Sequence, residues 1–321
     1  MNLSSISLSI LSLVILCSSC NKEENSSQDF ATAHSGLYAV PLFSETEFTF
    51  YEDVTYSTRP NFLGIQFTDP INRITELQQS EIEMQMDVVV PTNAAFNARQ
   101  PLMVLIHGGS LKGGSKRDLI NATLSYASAG YVSATINYRL TTDNDLSETL
   151  RTTASYHALE DVQNAIRFLK VNADLFYIDI NRIALIGVSA GGGLSLGIAL
   201  SADEIEELSS DFPGTSAGVQ CAFCTGITLL SDSLVDLSDL TLDAGDAPLM
   251  MFHNSVVDPA NGGTWEDALE TQVLIENSGN ECILIPQPPN THTVSLHVGS
   301  PYWQQMKPFL WRHLRLHELR E

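Results

Sequence analysis

Asn181-Arg182-Ile183-Ala184-Leu185-Ile186-Gly187-Val188-Ser189-Ala190-Gly191-Gly192-Gly193-Leu194-Ser195-Leu196 is the stretch that decides how this chain folds. In its first half Ile183 to Ile186 is an unbroken apolar run closed by Gly187, the pattern of a strand covered on both faces. Its second half changes to helical spacing, with Leu194, Ile198 and Ala199 continuing a pattern that opens at Ala190. Between the two, Gly187-Val188-Ser189-Ala190-Gly191 fits Gly-x-Ser-x-Gly. Five residues with three fixed positions are weak evidence alone, and the strand before and helix after supply the force. A strand that turns sharply into a helix brings backbones close together, and flanking glycines tolerate that approach. The serine then points into a site beside a helix N-terminus, where the dipole favours negative charge. Ser189 is therefore the candidate nucleophile.

Working outward, Phe48 to Val54 and Glu81 to Val90 alternate apolar and polar residues, as entry strands half exposed to water would. Continuous apolar runs follow at 101–106, 131–137, 182–187, 248–253 and 282–285. A helical face carries Ala158, Val162, Ala165, Ile166 and Leu169, and an aromatic-rich helix is expected over Tyr302 to Leu316. Strands alternating with helices predict an α/β fold with a mostly parallel central sheet and helices on both faces. Ser201 to Ser216 reads as an acidic loop, and Ile227 to Ala247 as a small lid.

His107-Gly108-Gly109-Ser110 follows the strand that ends at Ile106, where a sheet of this kind places an oxyanion loop. Glycine there lets N–H groups face a developing oxyanion, so Gly108, Gly109 and Ala190 are the expected donors. His107 reads as a brace for that loop rather than a base. The base must follow the nucleophile and the acid in the chain. Among the eight histidines, His34 lies near the N-terminus, His157 precedes a helix, and His313 and His317 sit in the last helix. His313 and His317 have the i, i+4 spacing of a metal pair without a third ligand, and read as a solvated face. His292, in Asn290-Thr291-His292-Thr293, is the candidate base, with His297 as the alternative. The acid belongs just past the strand ending at His253, where Asp258 stands; Asp246 precedes that strand and Asp267 falls in the following helix. In such a set the histidine takes the serine proton, and the aspartate holds the ring's tautomer and stabilises its charged form.

Taken together, these residues resemble the carboxylesterase/lipase branch of the α/β hydrolases, the group that includes bifunctional feruloyl and acetyl-xylan esterases. The resemblance runs from about Val54 to Leu316. It is carried by Met86-Asp87-Val88-Val89-Val90-Pro91, His107-Gly108-Gly109-Ser110, Glu160 to Phe168, Asp179 to Leu185 and the Ser189 turn. Relatives commonly read His-Gly-Thr-x-Asp around the acid; here His253-Asn254-Ser255-Val256-Val257-Asp258 is one residue longer. The resemblance implies an α/β-hydrolase fold and a serine esterase with Ser189, Asp258 and His292. Its substrate would be a small-molecule or polysaccharide-borne ester, with neither metal nor organic cofactor. A peptidase on the same fold and a non-catalytic binding protein are the competing readings.

Composition adds the setting. With 38 acidic residues against 16 basic ones and a formal net charge of -22, the surface repels nucleic-acid phosphates and anionic headgroups. Met1 to Ser19 carries no charge and includes the apolar run Ile10 to Leu16, too short to span a bilayer and suited to a secretory signal. Cys17-Ser18-Ser19-Cys20 resembles a lipobox, which implies lipidation at Cys20; a plain cleaved signal is the alternative. Asn21-Lys22-Glu23-Glu24 resembles a surface-export tag. The expected organisation is a lipoprotein signal at 1–20, a tether at 21–35 and one catalytic domain at 36–321, in an exported outer-membrane lipoprotein exposed at the cell surface. Its membrane contact would be the Cys20 anchor alone. Cys221 and Cys224 have the spacing of a redox or zinc half-site, yet residues three apart in a strand point to opposite faces. They read as buried strand cysteines.

Overall fold

The computed structural model describes residues 36–60, 81–92, 96, 98–141, 148–201, 210–230 and 241–320. The expected signal, the tether, Cys20 and His34 lie outside the described residues, as do the central parts of the acidic loop and of the expected lid.

In chain order the described elements are β1 (Phe48–Pro60), β2 (Glu81–Pro91), β3 (Gln100–Ile106), α1 (Ile120–Ser128), β4 (Val132–Ile136), α2 (Glu148–Val171), a short α3 (Ala173–Phe176), β5 (Ile178–Val188), α4 (Ala190–Ser201), β6 (Cys221–Thr225), β7 (Leu249–Asn254), α5 (Trp265–Asn277), β8 (Cys282–Gln287) and α6 (Trp303–His313). The strands form one sheet in the order β1-β2-β4-β3-β5-β6-β7-β8. β1 and β2 pair antiparallel, as do β2 and β4, and every later pairing is parallel. This is the mostly parallel α/β sheet that the alternating pattern predicts.

The apolar runs are continuous because each strand feeds two cores at once. Leu102, Val104 and Ile106 of β3 pack into the core that also holds Val162 and Ile166 of α2 and Leu194 and Ile198 of α4. Met103 and Leu105 face the opposite core, with Tyr126 of α1 and Trp303, Phe309 and Leu310 of α6. Cys221 and Cys224 fall on opposite faces by the same alternation, and with Cys282 they are buried free thiols. No group of three or more His, Cys, Asp or Glu residues among those described is arranged to hold a metal ion.

Three details depart from the sequence reading. β2 is not half exposed: Met86 through Pro91 are buried, since β2 lies between β1 and β4. Burying Asp87 is possible because the Lys116 ammonium binds its carboxylate, while also meeting Asp53 at 2.7 Å. The helix read from Ala158 begins at Glu148, so His157 lies inside α2 and is buried. His313 and His317 do not share a helix: α6 stops at His313, which pairs with Glu281 at 3.2 Å, and His317 sits in a separate 3₁₀ turn.

β3 is flanked by β4 on one side and β5 on the other. Connections leave in opposite directions there, which opens a crevice at the carboxyl ends of the strands.

Candidate active site

At the carboxyl end of β5 the chain turns into α4 through Ser189, whose φ of +55° is left-handed. A non-glycine residue held there costs of order 1–2 kcal/mol, so the surroundings must enforce it. Contacts explain both flanking glycines. A Cβ on Gly187 would lie 2.0 Å from the Gly191 carbonyl oxygen, and one on Gly191 would lie 2.2 Å from the Ile106 carbonyl oxygen. The Ser189 N–H donates to the Thr225 carbonyl at 2.9 Å, and its own carbonyl accepts from Gly193 N–H at 3.1 Å.

The structure brings Ser189, His292 and Asp258 into one hydrogen-bonded line. Nε2 of His292 is 2.8 Å from Ser189 Oγ. Nδ1 of the same ring is 2.8 Å from each Asp258 carboxyl oxygen. An ionised carboxylate only accepts, so Nδ1 carries the proton and Nε2 is left to accept from the serine hydroxyl. Asp258 is buried, and its Oδ1 also accepts from Ala260 N–H at 2.8 Å. Its loop is closed by Asp258 N–H to the Gly263 carbonyl at 2.8 Å and Gly262 N–H to the Asp258 carbonyl at 2.9 Å. His297 is not brought to Ser189: its Nδ1 bonds the Val298 carbonyl at 2.9 Å, within its own segment. Asp267 serves α5, accepting from Thr264 N–H at 2.7 Å as part of a capping box. Asp246 lies in the turn before β7.

The His107 loop lies directly against the serine. A Cβ on Gly108 would come within 3.1 Å of Ser189 Cβ and 2.9 Å of the Val188 carbonyl oxygen. Gly109 has a φ of +115°, and its carbonyl accepts from Lys112 N–H and Gly113 N–H in a tight turn. Ala190 opens α4, where the first N–H groups of a helix have no intrahelical partner. His107 is buried, stacks on Tyr138 with ring centroids 4.3 Å apart, and donates Nδ1–H to the Gly108 carbonyl at 2.7 Å. Burial holds its imidazole below the usual histidine range. Tyr138, absent from the sequence reading, donates its hydroxyl to the His107 carbonyl at 3.0 Å and fixes the loop from behind.

More side chains missing from that reading surround His292. Thr225 ends β6 and Gly226 follows it, Asn254 ends β7 and Gln287 ends β8. Gly226 has a φ of +77°, and a Cβ there would lie 2.5 Å from the His292 carbonyl oxygen. A glycine just past a buried parallel strand is the one sign of this close approach that the sequence carries.

A model of the BD-FAE family matches residues 86–230. Carboxylesterase 3 of Pongo abelii is 30% identical over 122 residues, covering 38% of this chain and 21% of that protein. The chain thus spans about a fifth of the length of the curated relatives it matches. Among solved structures, esterase 2 of Thermogutta terrifontis phosphorylated by paraoxon superposes with a TM-score of 0.58 at 18% identity, over 74% of this chain and 90% of that one. A truncated carbohydrate esterase from gut microbiota superposes with a TM-score of 0.59 at 15% identity, over 85% of this chain and 99% of that one.

Proposed function

Because the chain is an α/β hydrolase in fold, with a segment that matches the BD-FAE family, we propose that it cleaves carboxylic esters through an acyl-enzyme on Ser189. The observation that carries this reading is the line from Ser189 Oγ through His292 to Asp258, with 2.8 Å at each step. In the first half-reaction His292 Nε2 takes the hydroxyl proton as Oγ attacks the acyl carbon. Charge develops on the carbonyl oxygen, and the Gly108, Gly109 and Ala190 amides stabilise it; losing one such donor typically costs about 3 kcal/mol of barrier. The imidazolium, steadied by Asp258, returns its proton to the leaving alcohol. Water then repeats the sequence in reverse and releases the acid.

The substrate class proposed is an acyl ester, small or borne on polysaccharide outside the cell. The carbohydrate esterase among the structural neighbours and the expected export segment support that choice. Under the same proposal the protein is held at the membrane by a lipid on Cys20; no helix among the described residues is long and apolar enough to cross a bilayer.

The test is hydrolysis of p-nitrophenyl acetate and longer acyl esters by the purified protein, with Ser189→Ala, His292→Ala and His297→Ala variants. The expected result is loss of activity in the first two and its survival in the third. Full activity in Ser189→Ala overturns the mechanism. Inactivity of the wild type on every ester, with no labelling by a fluorophosphonate, favours a binding protein.

A further inference from the structure

His292 projects from a loop that follows the last strand and is not itself part of a ladder. Two fully buried side chains hold that loop on either side of the histidine. Asn254 donates Nδ2–H to the Thr291 carbonyl at 2.9 Å, one residue before His292, and to the Pro288 carbonyl at 3.3 Å. The other end of the same carboxamide accepts from Val256 N–H at 2.8 Å, in the segment leading to Asp258. Thr225 Oγ1 accepts from Val294 N–H at 3.0 Å, two residues after His292, and from Gln287 Nε2 at 2.6 Å. The carbonyl of the same threonine holds Ser189 N–H. One side chain therefore ties the base loop to the acid segment, and one residue ties it to the nucleophile. Both are 0% exposed, so water does not compete for these bonds.

We propose that Thr225 and Asn254 are positioning residues, which set the distance of His292 from Ser189 and Asp258 without touching substrate. Misplacing a reacting group by about 1 Å can cost on the order of 100-fold in rate. Thr225→Val keeps the shape and removes the acceptor, leaving Val294 N–H and Gln287 Nε2 without it. Asn254→Leu removes both ends of the other clamp.

The inference rests on the Ser189–His292–Asp258 reading, and the experiment separates the two. Steady-state hydrolysis of p-nitrophenyl acetate is measured per active site titrated with a fluorophosphonate, so that misfolded protein does not count. Thr225→Val and Asn254→Leu are expected to lose roughly 10- to 100-fold in kcat, with KM within about twofold, and Thr225→Ser is expected to recover most of the loss. Each substitution is also made in the His292→Ala background, where residual hydrolysis is read per mole of folded protein and a group acting through His292 has nothing further to lose. If His292→Ala is inactive while Thr225→Val and Asn254→Leu keep the wild-type kcat per site, the positioning role is overturned and the catalytic reading stands. Equal fractional losses with and without His292 mark a purely structural role and also overturn it. A fully active His292→Ala removes the premise and this inference with it.

Discussion

Asp258→Asn changes almost nothing in size, and its effect follows from which hydrogen bonds the new side chain can keep. One oxygen of Asp258 accepts from Ala260 N–H at 2.8 Å. Only the carbonyl oxygen of asparagine can replace it there, because an amide –NH₂ cannot accept from another N–H. The –NH₂ then takes the place of the second oxygen, 2.8 Å from His292 Nδ1 as the carbonyl oxygen also is; its N–H is repelled by a protonated Nδ1 and donates to an unprotonated one. The ring's proton is driven to Nε2, where it faces the serine hydroxyl and cannot receive the serine's proton. A triad locked in the wrong tautomer loses about 10⁴ in kcat, which corresponds to about 5 kcal/mol of barrier. The assay is p-nitrophenyl acetate hydrolysis per mole of folded protein, with folding checked by thermal unfolding and circular dichroism. KM is expected to stay near the wild-type value, since neither residue is needed to seat the substrate. A kcat within about tenfold of wild type, in a folded variant, refutes the tautomer argument.

Gly187→Ala would place its Cβ 2.0 Å from the backbone oxygen of Gly191; a destabilisation at or above the usual 1–3 kcal/mol of overpacking is expected, and an unchanged denaturant midpoint would contradict it. Arg139 lies buried with its Nε 2.9 Å from Asp161 and a terminal nitrogen 2.9 Å from Glu160. Arg139→Met is expected to cost about 3–5 kcal/mol by leaving the Asp161 charge buried, and Arg139→Met/Asp161→Leu to regain most of that; a double variant no more stable than the single one would refute the pairing argument. Burial holds both His107 and His253 below the usual histidine range. A depressed histidine favours the folded state above the unfolded value of about 6.5 and loses that contribution as pH falls through the lower folded value. Denaturant midpoints should fall as pH drops below about 6.5, and fall less in His107→Gln/His253→Gln; equal slopes in the two proteins would remove these histidines as the cause.

The parts of this molecule legible in its sequence are those set by short-range geometry. Gly187 and Gly191 are required by contacts within the turn itself and with the neighbouring strand's end, so a five-residue pattern carries the elbow. The parallel strands announce themselves because Leu102 to Ile106 and their counterparts have no polar face to show. Asp258 and His292 could be named from their places after β7 and β8, but the choice between His292 and His297 depends on a loop path that neighbouring residues do not encode. Thr225, Asn254 and Tyr138 act through carbonyls and amides of segments far away in the chain. Tyr138 reaches back 31 positions to His107, and Asn254 reaches forward 37 to Thr291. Nothing in a serial reading marks such residues out from any polar residue at the end of a strand. β2 misled for a related reason: Asp87 looks like a solvent-facing position until Lys116 supplies the countercharge.

The edge position of β8 gives the molecule an order of events in time. This strand and the His292 loop come late in the chain, and Ser189 precedes its hydrogen-bonded histidine by 103 positions. A partly folded chain can hold the β5–α4 elbow while His292 is still out of place. Closure of the far end is equally late: Trp303 Nε1–H reaches the Ala39 carbonyl across 264 positions, and Tyr126 reaches the Leu296 carbonyl across 170. Contacts of such separation form slowly, because the intervening chain must first be ordered. Under the proposed mechanism the serine gains its reactivity only when the loop after β8 docks, and a chain halted before β8 would carry a nucleophile that has never been armed.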